Sequence, residues 1–217
     1  MIYDIFKVGV YRTNLNLDID AIFKYSNNLE KIYKENCAHK SNRGGFQTPN
    51  LPAGFSSPIY KSNRGGFHSE DLIESDDNSN QVLKTLVENI SHHVNIYGKE
   101  LGYNNLKLDN IWCNINYQNS FLLTHNHPYS QFSGVYYVKV KPVKEQGVLC
   151  FARDDISQSY LRRDKINQDM PNPFTFLSMP VLPEIGKLII FPSWVNHHVT
   201  PNDLSDSDRV SLSFNFV

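Results

Sequence analysis

Two helical stripes and a run of short alternating segments divide the chain. Phe6, Val8 and Val10 alternate with Lys7, Gly9 and Tyr11, which predicts a first strand. Asp18 or Asp20 can cap a helix over about residues 20–38, whose apolar positions Ile22, Tyr25, Leu29, Ile32 and Cys37 recur at near-helical steps. Ser79 or Asn78 opens a second helix to about residue 101. Its apolar face is Val82, Leu83, Leu86, Val87, Ile90, Val94 and Tyr97, with Gly102 as its stop. His92 and His93 fall in this helix without a ligand-spaced partner and read as surface or packing residues. From about residue 106 the period shortens. Strand-like runs cover about 108–118, 120–127, 132–140, 147–152, 174–182, 186–191, 196–200 and 209–216, broken by Gly, Pro, Asn and Asp. Eight such runs predict a sandwich, jelly roll or small barrel, with the two helices packed on the outer face of one sheet.

Between the helices lies an irregular segment, about 40–78, that contains a repeat. Lys40-Ser41-Asn42-Arg43-Gly44-Gly45-Phe46 recurs unchanged as Lys61-Ser62-Asn63-Arg64-Gly65-Gly66-Phe67, with a Pro/Gly/Ser-rich stretch from Thr48 to Pro58 between the copies. Paired glycines permit close backbone approach, and a neighbouring Arg can reach an anion. The segment is either a duplicated surface turn or part of the mouth of a site. No linker separates the helices from the strands. The expectation is one domain over 1–217, with residues 1–105 as helical support and loops and 106–217 as the β core.

Composition narrows the class. The chain has 217 residues, 40% hydrophobic and 20% charged, with a net charge of -1. That suits an ordinary globular protein and gives no global basic field for nucleic acid. Three cysteines, Cys37, Cys113 and Cys150, make no disulfide framework, and the last two sit in strand-like runs as buried thiols. The first residues lack a secretory pattern and no apolar run reaches membrane length, so the expected location is the cytoplasm.

The candidate chemistry sits in two stretches. Phe121-Leu122-Leu123-Thr124 leads into His125-Asn126-His127, where residues i and i+2 of a strand share a face. About seventy residues later Leu188-Ile189-Ile190-Phe191 leads into Trp194-Val195-Asn196-His197-His198. His197 shares a strand face with Val199 and His198 takes the other. Either histidine could complete a metal face begun by the first pair. The last run alternates strictly. Val210, Leu212, Phe214 and Phe216 face one side, and Arg209, Ser211, Ser213 and Asn215 the other. A guanidinium with a hydroxyl two residues on suits a carboxylate. The other reading of that row is the wet face of an edge strand.

With these residues together, the chain resembles the Fe(II)/2-oxoglutarate-dependent oxygenases, and more closely a bacterial and marine-phage group within them. The resemblance covers roughly residues 60–217. It rests on Trp112-Cys113-Asn114, His125-Asn126-His127-Pro128, Ser133 to Val138, Gly147 to Phe151, Phe191 to Val199 and Arg209 to Asn215. It implies an α+β, β-rich fold: a double-stranded β-helix, or jelly roll, with the two helices outside one sheet. It implies oxidative decarboxylation of 2-oxoglutarate coupled to oxidation of a substrate, with Fe(II) as cofactor and no acid–base side chain. His125 matches the first metal ligand and His197 the distal one. His127 stands where the superfamily usually has a carboxylate. Either His127 coordinates, or water or a carboxylate such as Asp154 or Asp155 fills that place. Arg209 and Ser211 match the pair that grips the far carboxylate of 2-oxoglutarate, with Tyr136 and Asn114 as further candidates for that pocket. Arg43, Arg64, Phe67 and Trp194 are the candidate substrate or lid residues. The expected substrate is a peptide or small molecule, with no nucleic acid or membrane partner, and the open sheet edges admit a homodimer. Two other readings carry different chemistry: a cupin-like three-His dioxygenase that does not use 2-oxoglutarate, and a catalytically silent jelly-roll module that binds a metal or ligand.

Overall fold

A computed structural model describes residues 8–36, 63–64, 67–69, 71–73, 80–153 and 177–217. Eleven strands and two helices appear among them, in the order β1 (Tyr11–Asn14), α1 (Ile19–Asn36), β2 (Asn63–Arg64), β3 (Phe67–His68), α2 (Gln81–Glu100), β4 (Leu108–Asn116), β5 (Phe121–His125), β6 (Phe132–Lys139), β7 (Leu149–Ala152), β8 (Ser178–Val181), β9 (Lys187–Pro192), β10 (His197–Val199) and β11 (Arg209–Phe216). They form two antiparallel sheets. The larger has the order β1-β9-β6-β11-β4-β3 and the smaller β2-β5-β10-β7-β8. This is the expected β-rich jelly roll, and all eight short runs read from the sequence are strands.

The helices begin where short side chains cap them. Asp18 accepts from the amide of Ala21 at 2.9 Å, and Asn80 accepts from the amide of Val82 at 3.0 Å. Ile22, Tyr25 and Leu29 of α1 and Leu83, Leu86, Ile90, Val94 and Tyr97 of α2 are buried. They form one apolar cluster with Val210, Leu212, Phe214 and Phe216 of β11 and with Phe132, Tyr136 and Val138 of β6. The helices therefore cover the outer face of the larger sheet. Ile32 departs from the expected stripe and is exposed. No helix among the described residues is long and apolar enough to cross a membrane.

The second cluster fills the space between the sheets. It contains Val135, Tyr137, Leu149, Phe151, Val181, Ile189, Phe191, Val195 and Val199. Within the larger sheet, Gly134 of β6 leaves no room for a side chain: an added Cβ would collide with the ring of Phe214 and the carbonyl of Ile189. Cys113 and Cys150 are free and buried, as expected. Burial pushes the Cys113 thiol up to about 12, so it behaves as a small apolar side chain.

Two readings of the N-terminal half need correction. The first strand is Tyr11–Asn14, paired with β9, rather than the run from Phe6. Residues 8–10 are outside the ladder, and the Gly9 carbonyl accepts from the Tyr97 hydroxyl at 2.8 Å instead. The second repeat copy is more than a surface turn. Asn63–Arg64 pairs with β5 at the edge of the smaller sheet, and Phe67–His68 pairs with β4 at the edge of the larger. The two described parts of this copy therefore lie at the edges of different sheets. Phe67 is fully buried in the helix-side cluster, so it is a core residue rather than part of a lid. The first copy, with Arg43, lies outside the described residues.

Candidate metal centre and cosubstrate pocket

The imidazoles come together because β10 lies between β5 and β7. His197 stands directly opposite His125 in the β5–β10 ladder and opposite Phe151 in the β10–β7 ladder. β5 ends at His125, so His127 reaches the site from beyond the strand, and its amide donates to the Ser193 carbonyl at 2.9 Å. The ring centroids are 4.3 Å apart for His125 and His197, and 5.1 Å for His127 with each of the other two. One ligand atom from each of the three lies within 4.8 Å of the others, so the group could hold a metal ion. His198 points to the opposite face, as the strand period requires. Asp154 and Asp155 lie outside the described residues.

The electrostatics suit neutral ligands. His125 donates from Nδ1 to the Leu123 carbonyl at 2.7 Å, and His197 from Nδ1 to the Val195 carbonyl at 2.9 Å. A carbonyl only accepts, so both rings carry the proton on Nδ1 and offer the Nε2 lone pair. Burial lowers all three histidines below the ordinary imidazole value. His127 falls to about 4, with His125 as a second cause, and buried His197 is held well down by burial and then by its histidine neighbours. Phe191 packs edge-on against His197 at 4.7 Å and dries that side.

Facing the histidines is the polar row of β11, which is central in its sheet and not an edge. Arg209, Ser211 and Asn215 are 3%, 1% and 6% exposed, so the wet-edge reading of this row does not hold. Arg209 Nη1 donates to Asn116 Oδ1 at 2.9 Å, and the guanidinium lies 5.1 Å over the Tyr137 ring. Among the described residues no carboxylate pairs with Arg209. Its Nε, Ser211 Oγ, the Tyr137 hydroxyl and Asn116 Nδ2 are buried without a hydrogen-bond partner. Such atoms are costly to bury unpaired, and a cation most of all. Three unpartnered groups that can donate, beside a cation whose own Nε is also unpaired, fit a bound carboxylate. Three imidazole lone pairs fit a divalent metal of the iron group.

The expected pocket residues divide. Asn114 is opposite Ser211 in the ladder and donates to Ser213 Oγ at 3.0 Å, on the face of Arg209. Tyr136 is corrected: it faces the helices in the outer cluster, and its neighbour Tyr137 lies over Arg209. In Tyr136-Tyr137 the strand alternation alone does not say which ring faces in. Asn116, also missed, is recoverable only from its register with Arg209. Trp194 is 57% exposed in the turn after β9. The Arg64 backbone is in β2. Two further rings approach the site. Trp112 lies 6.1 Å from His127, and His68 stacks on Trp112 at 5.5 Å. His68 follows the second repeat copy directly.

Comparisons with known proteins agree with this geometry. A family model described as "Putative 2OG-Fe(II) oxygenase" matches residues 110–215, the stretch that carries every histidine of the cluster and Arg209. A search of curated proteins gives no match. The fold is similar to that of a Pseudomonas putida prolyl-4-hydroxylase, with TM-score 0.58, 15% identity, and 96% of this chain and 92% of that one covered. It is also similar to the epimerase SnoN in complex with Fe3+, alpha ketoglutarate and nogalamycin RO (TM-score 0.60, 12% identity, 97% and 79% covered). HygX from Streptomyces hygroscopicus, with nickel and 2-oxoglutarate bound, is similar at TM-score 0.56 and 13% identity, with 96% and 82% covered. At these identities the structural likeness speaks for the fold. The family match over 110–215 places that stretch among the 2-oxoglutarate- and iron(II)-dependent oxygenases and supports an enzyme whose cofactor is Fe(II) and whose cosubstrate is 2-oxoglutarate.

Proposed function

We propose that His125, His127 and His197 hold the iron, that Arg209, Ser211, Tyr137 and Asn116 receive the far carboxylate of 2-oxoglutarate, and that the enzyme hydroxylates a peptide or a small molecule. The observation that carries this reading is a buried guanidinium without an acidic partner, ringed by unpartnered donors, across the sandwich from three neutral imidazoles. The bound metal and cosubstrate supply the oxidising chemistry: one oxygen atom goes to the substrate and the other to succinate, with release of carbon dioxide. The chain supplies orientation. Arg209 and Ser211 fix one end of the cosubstrate, the histidines fix the iron, and Phe191 and Phe151 exclude water. Trp112 and His68 wall the side of His127. Likeness to a prolyl-4-hydroxylase supports hydroxylation as the reaction type. The helical half and the jelly roll act as one domain in this reading.

A three-His site favours a second reading, a dioxygenase that binds iron without 2-oxoglutarate. Among the described residues the metal-ligand cluster contains no carboxylate. Anaerobic addition of Fe(II) and then 2-oxoglutarate separates the two. The proposed function gives a metal-to-ligand charge-transfer absorption band, lost in His197→Ala and weakened in Arg209→Ala. Iron binding without the band supports the three-His dioxygenase, and no binding of either supports a silent module.

A further inference from the structure

We infer that Gln146 and Asn202 form a buried latch that sets the position of Arg209 and so makes the pocket a ruler for the length of its keto acid. This rests on the reading of Arg209 as the cosubstrate anchor.

Both side chains are fully buried, although neither belongs to a strand. Gln146 comes just before β7 and Asn202 between β10 and β11, and the two form an isolated antiparallel bridge. Gln146 Nε2 donates to the Ser207 carbonyl at 3.0 Å and to Ser207 Oγ at 2.8 Å, while its Oε1 accepts from the Lys141 amide. Asn202 Nδ2 donates to the carbonyls of Ser207 and Asn116, both at 3.0 Å. Its Oδ1 accepts from the Leu204 amide at 3.3 Å. One backbone carbonyl, two residues before Arg209, is thus held by both amides. Asn202 also holds β4, at Asn116, the residue that accepts from the Arg209 guanidinium.

The stem of Arg209 is fixed from a second direction. Gly147 has φ +78°, a backbone that L side chains rarely adopt. A Cβ there would sit 3.4 Å from Arg209 Cδ and 3.1 Å from the Thr200 carbonyl. The bare α-carbon lets the Arg209 stem lie close, while the Tyr137 ring limits the head. An Arg has many rotamers, and its value as a carboxylate fork depends on their being settled before binding. Surface loops seldom bury amides, because each must then be fully satisfied. Here both amide nitrogens converge on Ser207, in the segment that launches Arg209.

The iron end of the site is fixed by a strand pair, and the latch fixes the other end. Their separation then selects one keto-acid length. Loosening the latch weakens 2-oxoglutarate and weakens the six-carbon 2-oxoadipate less.

The test measures anaerobic Fe(II) affinity, and then the dissociation constants of 2-oxoglutarate and 2-oxoadipate from the absorption band. It uses full-length wild type, Gln146→Met, Asn202→Ala and the milder Ser207→Ala, which deletes only the hydroxyl acceptor. The expected result is unchanged iron affinity and 2-oxoglutarate binding weakened about tenfold in Gln146→Met, the scale of one lost buried hydrogen bond. The preference for 2-oxoglutarate over 2-oxoadipate narrows, and Ser207→Ala shows the same change in smaller measure. A merely structural role would lower thermal stability without moving that preference. Unchanged preference in folded Gln146→Met and Ser207→Ala overturns the latch alone. Failure of wild type to bind 2-oxoglutarate overturns the reading of Arg209, and the latch with it.

Discussion

His125 and His197 stand directly opposite each other across the β5–β10 ladder, with ring centroids 4.3 Å apart. Both rings are aimed by carbonyls of their own segments, Leu123 and Val195. This pair is the rigid half of the site. His127 differs: it stands past the end of its strand, where its amide donates to the Ser193 carbonyl.

Replacing His127 tests that division. His127→Ala is expected to weaken iron binding about 10–100-fold, while His197→Ala removes it. His127→Asp restores the usual carboxylate, keeps the metal and makes the centre one charge unit less positive. Calorimetric titration with Fe(II) under nitrogen measures the affinities. Equal iron binding by wild type and His127→Ala would show that His127 is not a ligand.

Arg209 is buried without an acid among the described residues, so its contribution should appear in cosubstrate binding. Arg209→Ala is expected to cost about 2 kcal/mol or more of 2-oxoglutarate affinity, over tenfold. Arg209→Lys keeps the charge but loses the fork, and falls between. Iron affinity stays at the wild-type level in both. A 2-oxoglutarate affinity in Arg209→Ala equal to wild type would remove the residue from the pocket.

The buried histidines make the metal-free protein sensitive to acid. The folded-state value of His127 is about 4, against an ordinary 6.5, and those of His125 and His197 are also lowered. An unfolded chain therefore takes up protons that the folded one refuses. The resulting stability is present in full above about pH 6.5 and is lost as pH falls toward about 4. Thermal melts of metal-free protein should drop steadily across this window. His127→Gln, which has no titrating ring, should show a shallower fall.

Gly134 tests the packing of the larger sheet. Its missing side chain leaves room for the Phe214 ring and the Ile189 carbonyl. Gly134→Ala is expected to destabilise the fold by about 1–3 kcal/mol, lowering Tm by about 2–4 °C per kcal/mol. An unchanged melting temperature would mean that β6 and β11 can separate freely.

Much of this architecture is readable in the chain. The eight strand-like runs after residue 106 become β4 to β11, and both helices begin within about two residues of the expected caps. A period of two or 3.6 is a local property, so a local pattern reports it. The short strands β2 and β3 escaped because two-residue strands have no period and exist only through their partners β5 and β4. Phe67 looked like a loop residue for the same reason.

By itself the sequence determined the candidate chemistry: three histidines in two stretches, and an Arg-Ser row on one face of the last strand. Those are statements about residue type and alternation. Only the tertiary structure decided which tyrosine faces Arg209, that Asn116 accepts from it, and that Gln146 and Asn202 brace it. The physical reason is register. Contacts between strands distant in sequence depend on how the ladders align and which sheet face is inward, and a shift of one residue would exchange Tyr137 for Tyr136.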